Sequence, residues 1–93
     1  MKTQFECYYK QVGLNISYYR KLRNLTQMDL AEFTDLSRTH ISNIEAPNMK
    51  TSISLDTLFL IADVLQIPPY KLLEFRQTSD NADSYIFPGA ERK

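Results

Sequence analysis

Residues 35 to 45 read DLSRTHISNIE. Ser37 is a residue type whose hydroxyl accepts from the unsatisfied amides of a helix's first turn, so it caps a helix running from Arg38. At 100° per residue, Ile41 and Ile44 then fall on one side, and Thr39, Ser42 and Asn43 on the other, with Arg38 and His40 flanking the polar face. Two isoleucines suffice to dock so short a helix on a core. The outward row consists of small hydrogen-bonding side chains, each of which water would satisfy. Thr, Ser and Asn reach base edges only when the helix itself enters a major groove, whereas Arg reaches guanine or phosphate from the rim.

The flanking sequence supplies further short helices. Upstream, Thr26 is an N-cap for TQMDLAEF, which carries Asp29 in its first turn and ends near Phe33 or Thr34, leaving about three residues before the helix from Arg38. Earlier still, Phe5, Tyr9, Val12, Ile16, Tyr19 and Leu22 recur at spacings of three and four, the period of an amphipathic helix. Gly13 weakens helix propensity, so this helix is expected to begin near Val12, with residues 1–11 an N-terminal arm or an extension of helix one. Downstream, Pro47 stops the helix from Arg38. Ser54 caps LDTLFLIADVL, Pro68 follows its end, and Pro69 suits the first turn of a fifth helix, PYKLLEF. The remainder, RQTSDNADSYIFPGAERK, is a C-terminal tail over 76–93 that periodicity leaves unassigned.

The chain has 93 residues, enough for one compact domain, and two glycines, which argues against a loop-rich β protein. Its apolar and charged fractions, 43% and 24%, are those of an ordinary globular domain. The N-terminal MKTQFECYYK lacks a signal-peptide apolar region and no run approaches a membrane span, so a cytoplasmic location without membrane contact is expected. Lone Cys7 cannot form an internal disulfide and is expected to be a buried or half-buried thiol; His40 has no metal-spaced partners, and no metal or other cofactor is expected. Eleven basic residues balance eleven acidic ones. Any positive surface must be local, and Arg20, Lys21 and Arg23 in YYRKLRN are its nearest candidates, although such a cluster is ordinarily the wet end of a helix.

Taken together, residues 12–75 resemble the Cro and phage-repressor-like (Xre) family of five-helix DNA-binding domains. The resemblance rests on TQMDLA, a short turn, SRTHISNIE, a polar loop, and SLDTLFLIADVLQIPPYKLL. It implies an all-α, compact five-helix repressor-like helix-turn-helix domain with N-terminal arm and C-terminal extension. It also implies transcriptional control, usually by a homodimer on a palindromic double-stranded DNA operator. Residue by residue, the likeness puts Arg38, Thr39, Ser42 and Asn43 at base-reading positions. Gln27, Ser37, His40 and Lys50 then fall where backbone phosphates are met. Arg20 and Glu45 match a structural ion pair, and Leu30, Ala31, Leu36, Ile41 and Ile44 match core positions. Many relatives have glycine where this chain has Asp35, a position that often takes a left-handed conformation, which Asp tolerates better than most residues.

Helix four carries an anomaly. Leu55, Leu58, Phe59, Ala62 and Leu65 are expected to face inward, while Leu60 and Val64 lie together on the opposite side. Tyr85, Ile86 and Phe87 of the tail are the natural cover for such a strip, in the same subunit or a dimer mate. An exposed strip also suits a protein partner, so an interaction module, antitoxin-like or sensor-associated, is the alternative to a DNA-binding regulator. An enzyme is not expected: neither a nucleophile with its base nor a glycine-rich phosphate loop can be read.

Overall fold

The computed structural model describes residues 5–46 and 51–75. Four α-helices, α1 Glu6–Leu22, α2 Gln27–Thr34, α3 Arg38–Glu45 and α4 Leu55–Leu65, are followed by a 3₁₀ helix, Pro69–Leu73. The described residues contain no strand. Their core is one cluster in which Val12 and Ile16 of α1, Leu30 and Ala31 of α2, Ile41 and Ile44 of α3 and Leu58, Ile61, Ala62 and Leu65 of α4 meet Leu72.

Local chemistry accounts for the helix ends. The Thr26 hydroxyl accepts from the Asp29 amide at 2.9 Å while the Asp29 carboxylate accepts from the Thr26 amide at 2.9 Å, a reciprocal capping box. Ser54 accepts from the Thr57 amide at 3.1 Å. Asn24, Asp35 and Gln66 take left-handed conformations with φ near 60°, each just after a helix. At Asp35 the backbone turns sharply enough for the Leu36 amide to reach the Ala31 carbonyl at 3.1 Å, which docks half-buried Leu36 on the core.

Helix α1 begins at Glu6, six residues before Val12, and runs through Gly13 without interruption. Gly13 is buried, and a Cβ there would collide with the main-chain carbonyl oxygen of Ile44. The glycine marks the crossing of α1 over α3, and the propensity it sacrifices is about 1 kcal/mol relative to Ala. Asn15, two residues on from Gly13, is buried and donates its side-chain amide to the carbonyls of Leu72 at 3.0 Å and Glu74 at 2.9 Å. It thereby ties α1 to the 3₁₀ segment.

Three expectations are corrected. The fifth helix is a single 3₁₀ stretch of five residues, closed by the Lys71 amide on the Pro68 carbonyl at 3.0 Å. Pro68 is held extended before Pro69, and Glu74 is extended too, leaving no room for an i to i−4 ladder. On α4, buried Ile61 swings the inward arc toward Val64, which packs half-buried on the core, while Leu60 stays exposed. Leu55 and Phe59, expected inside, are 64% and 49% exposed. Cys7, finally, is exposed. Lys50, in the loop after α3, and Tyr85, Ile86 and Phe87 in the tail lie outside the described residues.

Candidate nucleic-acid interface

The geometry starts at the α2–α3 turn. Ala31 is small and buried on α2, and left-handed Asp35 lets only three residues separate α2 from α3. Ser37 then accepts from the His40 amide at 3.0 Å and fixes the first turn of α3. With Ile41 and Ile44 buried, Arg38 and Thr39 are exposed on the N-terminal turn, and His40, Ser42 and Asn43 are half-buried along the same helix. The structure therefore brings Ser37, Arg38, Thr39, Ser42 and Asn43 onto one short polar helix, with His40 at its side.

Below this face lies a buried ionic cluster. Arg20 of α1 binds Glu45 at the end of α3 in bidentate fashion, Nε to Oε2 at 2.8 Å and Nη2 to Oε1 at 2.9 Å. The third guanidinium nitrogen, Nη1, donates to the Leu25 carbonyl at 2.8 Å just ahead of α2. Both side chains are nearly excluded from solvent, at 10% and 5% exposure, so charge and hydrogen-bond donors are matched within the protein. Gln27, the first residue of α2, adds its amide Nε2 to Glu45 Oε1 at 3.0 Å. The single carboxylate thus joins the start of α2, the end of α3 and helix α1.

Two of these features could not be read along the chain. The Gln27–Glu45 bond spans 18 positions and has no local periodic signal. Two of the three bases in YYRKLRN are engaged by the fold's own acceptors. Arg20 is buried, and Arg23 donates through Nε to the Leu65 carbonyl at 2.8 Å and through Nη2 to the Gln66 carbonyl at 3.2 Å, capping the C-terminus of α4. Lys21 and Arg23 both stay exposed, but Arg23 is engaged at the end of α4. Among the described residues, no group of three His, Cys, Asp or Glu side chains could hold a metal ion, and no helix is long and apolar enough to cross a membrane.

A turn this tight between two capped helices, with the second presenting a polar face, defines the helix-turn-helix class. Residues 16–72 match the helix-turn-helix family model, and the chain belongs to that family, as an Xre/Cro-like DNA-binding domain. It is 37% identical over 59 residues to the control protein C.SmaI of Serratia marcescens, spanning 63% of this chain and 68% of that one. Its fold is similar to the crystal structure of the hypothetical transcription factor NHTF from Neisseria, with a TM-score of 0.66 at 22% identity over 85% of each chain. The protein is a DNA-binding transcriptional regulator of the Xre/Cro type.

Proposed function

We propose that the protein acts as a homodimer that inserts α3 into the major groove of a palindromic operator, its two reading helices about 34 Å apart along the duplex. The observation that carries this reading is the exposed polar side of α3, presented by two buried isoleucines and held at both ends by Ser37 and Glu45. Arg38, Thr39, Ser42 and Asn43 read bases. Arg38 pairs with guanine or the adjacent phosphate, and Asn43 pairs with adenine, whose N6 and N7 match a side-chain amide. Gln27, Ser37, His40 and Lys50 bind backbone phosphates and set the register. The likeness to a Serratia marcescens protein named as a control protein supports a role in controlling gene expression.

Selection of binding sequences from random duplex DNA, followed by titrations at several salt concentrations, tests the proposal. The expected result is a palindromic consensus whose preference at one position relaxes in Asn43→Ala, with a loss of about 1–3 kcal/mol on the preferred base. No enrichment by folded protein at low salt would overturn it.

A second reading has one observation in its favour. Leu55 and Phe59, one turn apart on α4, are exposed, and apolar neighbours of this kind suit a protein surface. On that reading the domain is an antitoxin-like or sensor-associated interaction module. Substitutions at Arg38, Thr39 and Asn43 would then leave its function intact.

A further inference from the structure

On the side of the molecule formed by the first turns of α1 and the start of α4, an apolar groove of about 380 Å³ is lined by Phe5, Tyr8, Val12, Leu55, Leu58 and Phe75, among others. One wall is a row of rings. Phe5 stacks on Tyr8 at 5.7 Å between centroids, and Tyr8 stacks on Phe75 at 5.6 Å. The row has no part in α3 or its supporting ion pair. Phe75, which lines the groove, is also the last described residue before 76–93.

We propose that Tyr85–Phe87 of this chain docks in the groove of its own subunit, extending the aromatic row. Within 76–93, YIF is the one cluster of large apolar side chains; RQTSDNADS before it carries none. In an extended segment Tyr85 and Phe87, two apart, fall on the same side, so both rings face the groove together. Pro88 biases Phe87 toward that extended form. Aromatic rings gain from offset stacking on Phe5, Tyr8 and Phe75, and the tyrosine hydroxyl stays at the wet rim. The tether from Phe75 to Tyr85 spans at most about 35 Å when fully extended, enough to double back. A tether of this length supplies the segment at an effective concentration of order mM, which favours the subunit's own groove over that of a second copy at ordinary protein concentrations. The inference is independent of DNA binding.

Cys7, the sole cysteine and exposed beside Tyr8, provides the probe. A nitroxide attached there in the full-length, ¹⁵N-labelled protein is expected to broaden the amide signals of Tyr85, Ile86 and Phe87. The broadening should persist when that protein is mixed with a tenfold excess of untagged chain at natural isotopic abundance. In untagged protein, Tyr85→Ser/Phe87→Ser should shift the amide signals of residues 5–12 and 53–58 and leave those of α3 unmoved. Sharp tail signals in the tagged chain would overturn the proposal. Broadening that disappears on dilution would also overturn it, and would assign the segment to a partner subunit's groove.

Discussion

Gln27 donates its side-chain amide to the carboxylate of Glu45 at 3.0 Å, and that carboxylate simultaneously receives both Nε and Nη2 of Arg20. One buried acid therefore ties the start of α2 to the end of α3 and anchors both to α1. The relative pose of the two helices, on which any fit to a duplex depends, is set by hydrogen bonds as well as by the isoleucine packing.

Removing one member of this pair strands the other. Glu45→Ala leaves the Arg20 guanidinium buried without its anion and is expected to destabilise the fold by about 3–5 kcal/mol, read by urea denaturation. The double variant Arg20→Met/Glu45→Leu removes both charges together and should lose far less. A double variant as unstable as Glu45→Ala would show that shape, not charge, dominates the site.

Gly13→Ala tests the crossing of α1 and α3. Helix propensity alone favours alanine by about 1 kcal/mol. The added Cβ, however, points into the Ile44 carbonyl, which is main chain and cannot swing aside as a side-chain tip would. Forcing the helices apart costs about 1–3 kcal/mol, so a net loss of stability and a lowered melting temperature are expected. A raised melting temperature would mean that the helices separate cheaply.

Much of the fold is legible in the sequence because its signals are local. Thr26, Ser37 and Ser54 are cap side chains acting within three residues, and they fix the starts of α2, α3 and α4. Asp35 is a turn residue suited to the left-handed conformation it adopts. What escaped the sequence depends on residues far along the chain. Gly13 reads as a helix breaker until Ile44 is laid against it, and Arg23 reads as surface charge until the end of α4 is placed beside it. The inward arc of α4 was misplaced toward Phe59 because neighbouring elements, not spacing alone, decide that Ile61 and Val64 pack inside. For the candidate interface, the polar row of α3 was readable, whereas the bond that orients Gln27 was not.

Asp35→Gly should isolate the strain at the turn. An L-residue in the left-handed region costs roughly 1–2 kcal/mol, which glycine avoids, although glycine also gains entropy in the unfolded chain. The balance predicts a small stabilisation, about 0.5–1 kcal/mol, whereas Asp35→Val, branched at Cβ, should lose stability. Paired thermal melts of the two variants check the prediction. A glycine variant less stable than wild type would show that the aspartate side chain contributes a local contact worth more than the strain.

Gln27 separates scaffold from contact. Gln27→Ala removes one hydrogen bond to a carboxylate that keeps its bidentate arginine, so the fold should lose only about 1 kcal/mol. Operator affinity should fall by more than that if the glutamine also meets a phosphate. Gln27→Glu is the sharper variant, because it sets a second carboxylate against Glu45 and turns negative charge toward the DNA backbone. It is expected to weaken binding at least tenfold beyond Gln27→Ala, about 1.4 kcal/mol. The effect should be similar for operator and unrelated duplex, since a phosphate contact carries no base information. Fluorescence anisotropy titrations of both duplexes, alongside denaturation of each variant, distinguish the outcomes. If Gln27→Glu binds as tightly as Gln27→Ala, this end of α2 does not approach the duplex, and Gln27 serves only to brace Glu45.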